Sequence, residues 1–293
     1  MSTRNLIELI LLASVWGASF LFMRIAVPEF GAVALIEARV LLAGLALLPF
    51  WWFSESRQSR QTALAAWPHL LVVGLLNSSI PFVLFAFSML TITGGMASIL
   101  NGTAPIWGAL VAWLWLKNTL SFNGVLGLLI GFSGVLVLVS DDLSWSLSGT
   151  TLAILAASLA PVLYGIAANY TSEKLTHISP LSIATFSQLA AALSLLPLLY
   201  WFLPDAWPSL FSWLAVLGLA FACTSWGYLM FFRLLADIGS TKAITVTFLV
   251  PLFGSLWGAL FIGEQITLVM VVGMAIILTG TALVTGVLTL TRK

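Results

Sequence analysis

The sequence predicts an all-α integral membrane protein with ten transmembrane helices, arranged as two inverted five-helix repeats. Three observations predict it. Hydrophobic residues make up 61% of the 293 residues and charged residues only 7%, where soluble domains carry roughly 25% charge. Such a chain has too little polar surface to face water all round. Ten apolar stretches each approach the roughly 20 residues a helix needs to cross a bilayer, and proline and glycine recur at one offset between the two halves.

The spans read 5–26, 31–53, 68–90, 94–116, 120–139, 149–170, 179–203, 209–236, 240–262 and 266–290. Pro28 and Gly31 close the first. The second runs into Ser54-Glu55-Ser56-Arg57, the third is cut from the fourth by Thr93-Gly94-Gly95, and Lys117-Asn118 ends the fourth. Asp141-Asp142 separates the fifth and sixth, Glu173-Lys174 follows the sixth, and Pro204-Asp205 follows the seventh. The first run leads straight into nine more and reads as an uncleaved span rather than a signal peptide. The connections are short, leaving no room for a soluble catalytic domain.

Orientation follows from Lys and Arg alone. With the N-terminus cytoplasmic, Arg4, Arg57, Arg60, Lys117, Lys174, Arg233, Lys242, Arg292 and Lys293 all fall at cytoplasmic ends, nine of the eleven basic residues. Both termini are then inside, the number of spans is even, and Asp141-Asp142 face outward. A net charge of +1 excludes a nucleic-acid binder that works by phosphate neutralisation. Cys223, the one cysteine, has no disulfide partner in the chain and reads as packing.

The repeat divides the chain into residues 1–140 and 145–293. A shift of 146 lays Pro105 on Pro251, Gly108 on Gly254, Gly127 on Gly273 and Gly134 on Gly280. Five spans per unit is an odd number, so the second unit enters the membrane upside down. Inverted repeats give two related states, open to opposite sides of a central site, which is a transporter design.

Several motifs now carry a resemblance. Ser14-Val15-Trp16-Gly17-Ala18-Ser19-Phe20 with Arg24 lies in span 1 and Ala38-Arg39-Val40 in span 2. Gly95-Met96-Ala97-Ser98 with Ala104-Pro105 lies in span 4, and Val250-Pro251 with Leu260-Phe261-Ile262-Gly263-Glu264 in span 9. In order and spacing the chain resembles the drug/metabolite transporter superfamily, in its EamA-type ten-helix branch. The resemblance implies a bacterial inner-membrane carrier, often an exporter of amino acids or other metabolites. Its substrates are a small molecule and, as coupling partner, a proton or an exchanged metabolite. It is multi-pass, works as a monomer or weak dimer, and uses no cofactor. The family often carries Glu at the end of both span 4 and span 9; here the first copy is Asn118.

Charges inside a membrane are costly and mark function by default. Glu8 lies within a turn of the inner end, within reach of headgroups, and Arg233 can snorkel likewise. Arg24 and Glu29 flank the outer end of span 1. Glu264 is placed to cap the N-terminus of span 10. Only Glu37 and Arg39 are deep. Arg39 sits eight residues past Gly31, about 12 Å into the bilayer at 1.5 Å per residue. Two readings of Arg39 stay open: it binds an anionic group of the substrate, or it forms a permanent ion pair with Glu8 or Glu37. Asn77, Asn101 and Gln188 are hard to satisfy in a dry bundle and are cavity candidates. Trp16, Tyr164, Trp226 and Tyr228 are candidate aromatic walls. Pro105 and Pro251 are candidate hinges at equivalent helix irregularities. Trp51, Trp52, Trp67, Trp201 and Trp207 sit at span ends and read as an interfacial belt.

An intramembrane enzyme and a flippase for lipid-linked intermediates are the alternatives. His69 and His177 lie far apart near span ends, and neither a His-Glu-x-x-His nor a Gly-x-Ser-x-Gly motif is present, so the residues favour a carrier over an enzyme. No metal motif is seen.

Overall fold

A computed structural model describes residues 2–140 and 148–289. Among them every regular element is helical. Seven apolar helices have 18 residues or more, and the longest, Thr3–Ser54, is two spans joined at Gly31 (φ 70°, ψ 163°). That backbone conformation is open only to glycine at no steric cost. The chain folds back there: Met23 and Arg39, each eight residues from Gly31, touch through sulfur and guanidinium at 3.6 Å. Pro28 does not end the first span, since a proline in the last turn removes one N–H and leaves the backbone helical.

Split at Gly31, and with two helices of 17 residues added, the described residues form ten spans. They are α1 (3–30), α2 (32–54), α3 (Trp67–Ser88), α4 (Gly94–Trp115), α5 (Phe122–Val139), α6 (Gly149–Lys174), α7 (Pro180–Phe202), α8 (Leu210–Ile238), α9 (Val246–Ile262) and α10 (Leu268–Val284). A short helix, Arg57–Ala65, joins α2 to α3. Asp141-Asp142, Arg292 and Lys293 lie outside the described residues. The end of the bundle bearing Thr3, Ser54 and Trp67 is called the Thr3 face below, and the other the Gly31 face.

The two halves pack by the same rule. A Cβ added to Gly17 in α1 would lie 2.8 Å from the Gly254 nitrogen in α9; one added to Gly165 in α6 would lie 2.8 Å from the Gly108 nitrogen in α4. Gly108 and Gly254 are the pair matched by the 146-residue shift. The matched glycines Gly127, Gly134, Gly273 and Gly280 meet in the α5–α10 seam. There a Cβ on Gly280 would come within 2.4 Å of the Gly131 nitrogen, and one on Gly134 within 2.8 Å of the Ile277 nitrogen. Small residues let backbones approach where lipid offers no hydrophobic drive.

A second shared irregularity has no signal in the sequence. Leu75–Ser79 in α3 and Gly218–Trp226 in α8 are π-helical, and the shift of 146 carries the first into the second. The wider turn seats Thr224 and Ser225, whose hydroxyls donate to carbonyls five residues back. Such turns recur at functional sites.

The outer surface is apolar, as lipid contact requires. Phe53, Trp52, Trp201 and Trp207 are exposed near span ends. Trp51 departs from the belt reading: it is 3% exposed, and its indole N–H donates to Ser182 Oγ at 2.9 Å, tying α2 to α7. The residue before it on the helix takes the outward face instead.

Candidate functional site

Between the repeats lies a cavity of about 580 Å³, within the size range of small-molecule sites. Its walls come from α1, α2, α3, α4, α6 and α8, with the ends of α9 and α10. Neither α5 nor α7 contributes. Of the residues singled out from sequence, Trp16, Arg39, Asn77, Asn101, Tyr164, Tyr228 and Pro105 line it.

Glu37, Gln188 and Trp226 do not. Glu37 is 4% exposed and two residues from Arg39, so it sits on the opposite side of α2. Its Oε2 is buried with no hydrogen-bond partner. Trp226 stands in the same relation to Tyr228; the tyrosine turns inward and Trp226 is 39% exposed on the outside. Gln188 belongs to α7, which packs behind α3; its amide donates to Ser78 Oγ at 2.8 Å.

Arg39 is 5% exposed. Its Nε donates to Thr224 Oγ1 at 3.1 Å, and its guanidinium lies 3.8 Å from the Phe82 ring centroid. Among the described residues no carboxylate pairs with it. Glu8 is committed elsewhere, to Arg4 at 3.0 Å and Arg233 at 3.5 Å, at the Thr3 face. The permanent ion pair with Glu8 or Glu37 is therefore absent.

The prolines behave unequally. The helix of α4 is interrupted at Gly102-Thr103, just before Pro105, whereas α9 runs unbroken through Pro251. Pro251 is buried against Gly102, within 3.0 Å of where a Cβ would stand, and does not line the cavity. Equivalent irregularities are thus not formed: Pro105 is the second residue of the segment that restarts at Ala104, where its missing N–H costs no helical bond, whereas the break before α9 lies at Ile244-Thr245 and Pro251 sits inside the regular helix.

Sequence reasoning passed over Phe82, Met23 and Asn169. Asn169 lines the cavity and donates to the carbonyls of Gly108 and Gly165 at 2.9 and 2.8 Å. The rule that picked out Asn77 and Asn101, a carboxamide inside an apolar span, would have found it. Cys223, read as packing, is buried and also reaches the wall, its thiol directed at the Val15 carbonyl.

The cavity opens at the Thr3 face, where Ile244 in its wall is 40% exposed. Toward the Gly31 face it is closed by Met89, Ile92 and Met96, each 5% exposed or less. Over this plug sits a charged latch. Glu264 accepts from the Gly94 and Gly95 N–H groups at 2.8 and 3.0 Å and lies 3.7 Å from Arg24 Nε. Arg24 also donates to the Met89 carbonyl. Glu264 therefore does not cap α10, the part expected of it from sequence, while Arg24 lies at the outer end of α1 as expected. Thr267 caps α10, and Gly263, left-handed at φ 69°, turns Glu264 back onto the N-terminus of α4, where a carboxylate meets unpaired amides and the helix dipole.

A bundle of inverted repeats with a central cavity open at one end has the build of a membrane carrier. The EamA-like transporter family matches residues 5–140 and again residues 151–286. The chain belongs to that family, one copy of its unit in each half, and is a multi-pass membrane protein. It is 24% identical over 285 residues to the uncharacterized transporter YvbV of Bacillus subtilis, covering 96% of this chain and 92% of that one. It is also 24% identical over 282 residues to a probable terminal-alkyne amino-acid exporter of Streptantibioticus cattleyicolor, covering 94% and 91%. A solved crystal structure superposes with a TM-score of 0.65 over 98% of both chains at 18% identity, which speaks to the fold alone.

Proposed function

We propose that the chain exports a small metabolite, an amino acid or related compound, across the bacterial cytoplasmic membrane by alternating access. In this reading the Thr3 face is cytoplasmic, residues 1–140 and 145–293 are the moving repeats, and the state described is loaded from inside. The observation that carries it is one cavity between inverted repeats, open at one face and latched at the other. The positive-inside bias supports the orientation. The exporter name of one relative supports the substrate size and direction. A substrate-bound carrier would close the Thr3 face and release Glu264 from Gly94 and Gly95. A coupled proton or exchanged metabolite supplies the driving force.

Two experiments test this. Gln58→Cys and Asp205→Cys, each in a Cys223→Ala background, should label from opposite sides of sealed cells; labelling from the same side defeats the topology. Purified protein in liposomes preloaded with a mixture of unlabelled amino acids and organic acids should accelerate entry of a radiolabelled member of that mixture. Absence of saturable counterflow for every member, or chemical conversion of one, defeats the carrier reading.

A further inference from the structure

Resting on the carrier reading, the geometry of Arg39 bears on the two substrate types that reading leaves open, an amino acid and a related compound. A guanidinium offers five donors. One N–H of Arg39 reaches Thr224 Oγ1 and another faces the soft sulfur of Met23. The rest of the fork looks into the cavity without a protein acceptor among the described residues. The lining of that cavity holds one full charge, on Arg39, and no carboxylate. Glu37, the nearest acid in sequence, is turned to the far side of α2.

A buried cation without a counterion is costly and is tolerated where a ligand completes it. Phe82 under the guanidinium plane gives part of the compensation. It also holds the fork in the orientation that accepts a carboxylate through two parallel hydrogen bonds. The surroundings are aromatic and aliphatic. Tyr164 packs edge-on to Phe82 at 6.5 Å and lies 6.3 Å from Phe85, and Trp16 closes the wall on the α1 side.

Charge counting then separates two candidates of equal size. A monocarboxylate neutralises the site. A zwitterion brings the same carboxylate but adds an ammonium, which leaves the occupied cavity with a net positive charge and only neutral acceptors such as Asn77 to receive it.

We infer that the site selects a monocarboxylate anion with an apolar, aromatic-sized body over the zwitterionic amino acid of the same skeleton, and that Arg39 is the residue that imposes this choice.

Three probes sharing one phenyl skeleton decide it: 3-phenylpropionate, L-phenylalanine and 2-phenylethylammonium. Binding is read on the purified full chain by thermal shift and titration calorimetry, independently of transport. The expected order is 3-phenylpropionate, then L-phenylalanine at least tenfold weaker, with no binding of the amine. Arg39→Gln should abolish 3-phenylpropionate binding, and Arg39→Lys should retain a weakened fraction, because a lysine keeps the charge without the fork. Thr224→Val, which frees Arg39 Nε but keeps the charge, checks that a loss is not misfolding: it should weaken the anion several-fold and leave the melting curve cooperative. L-Phenylalanine binding as tightly as 3-phenylpropionate overturns the inference. So does anion binding that survives in a folded Arg39→Gln protein, or no binding of 3-phenylpropionate at millimolar concentration. Counterflow of other solutes in that last case would leave the carrier reading standing.

Discussion

The two faces of the bundle carry the same turn with different chemistry. At the Gly31 face, Gly263 is left-handed at φ 69° and the Glu264 N–H donates to the Gly258 carbonyl at 3.1 Å. At the Thr3 face, 146 residues earlier, Lys117 is left-handed at φ 55° and the Asn118 N–H donates to the Ala112 carbonyl at 3.2 Å. The backbone is repeated residue for residue. The side chains are not. Glu264 is 9% exposed and bound to α4 and Arg24, while Asn118 is exposed. At the 148-residue offset that pairs Gly17 with Gly165, the position matching Arg24 is Ser172, which is exposed and donates its hydroxyl to the Asn169 carbonyl at 2.8 Å. Symmetry supplies two states of one fold. In the proposed alternating-access cycle the difference between the faces decides which state rests lower, because among the described residues only the Gly31 face has an anion seated on two helix amides.

Removing that anion is the sharpest way to break the comparison. In Glu264→Ala the Gly94 and Gly95 N–H groups lose a charged acceptor, at a cost of about 2–4 kcal/mol to the state closed at the Gly31 face. The exposed part of the Arg24 pairing adds little. A shift of that size changes a two-state ratio more than tenfold. Met23→Cys, a cavity position, should then label much faster with a membrane-impermeant thiol reagent applied from the Gly31 side, in a Cys223→Ala background. Unchanged labelling with an unchanged melting temperature would remove the latch from the mechanism.

Grafting the latch onto the other face sharpens the comparison instead. Asn118→Glu with Ser172→Arg places the same pair at the matching positions, facing the N-terminal turn that begins at Ser240. The expected outcome is a several-fold fall in labelling of Met23→Cys from the Thr3 side and slower transport. Ser172→Ala alone is the control, since it loses the bond to the Asn169 carbonyl without adding charge. A graft that behaves like the control would mean that the backbone match does not extend to the receiving helix.

How much of this the sequence revealed depends on the range of the interaction. The spans were legible because hydropathy is local, and the repeat because proline and glycine at a fixed offset survive where apolar side chains do not discriminate. Arg39, Asn77 and Asn101 were legible because burying their polar groups is costly wherever they point. Glu37 and Trp226 were misplaced because a residue two steps from a cavity-facing one lies about 200° away, and cost alone carries no helical phase. The latch joins Gly94 to Glu264 across 170 residues and draws in Arg24 from further still, a pairing that only the folded chain creates. The π-turns have no composition of their own.

A third test addresses why the latch face has glycine where its counterpart has alanine. A Cβ on Gly258 would stand 2.3 Å from Glu264 Oε2, whereas the matching Ala112 carries a side chain without displacing Asn118. Gly258→Ala should push the carboxylate off the α4 amides by most of an ångström, enough to weaken the latch by about 1 kcal/mol. Labelling of Met23→Cys from the Gly31 side should rise modestly. Ala112→Gly should leave labelling unchanged from either side. Equal effects at the two positions would show that the glycine serves helix packing alone.

The smallest expected effect comes from the left-handed residue itself. A non-glycine residue in that region costs about 1–2 kcal/mol, which Lys117 bears and Gly263 avoids. Glycine in turn loses more freedom on folding, about 0.5–1 kcal/mol. Lys117→Gly should therefore stabilise the protein slightly, by about 0.5 kcal/mol once the two contributions are set against each other. Gly263→Ala should destabilise by a similar amount, for the same reason with the sign reversed. In melting temperature these are shifts of about 1–2 °C in opposite directions. The functional consequences should not mirror each other. Residue 263 aims Glu264, so Gly263→Ala should also raise labelling of Met23→Cys from the Gly31 side. Residue 117 aims only the exposed Asn118, so Lys117→Gly should leave labelling as it was. Equal labelling changes in the two variants would mean that turn geometry gates both faces, and that the charge on Glu264 is not what distinguishes them.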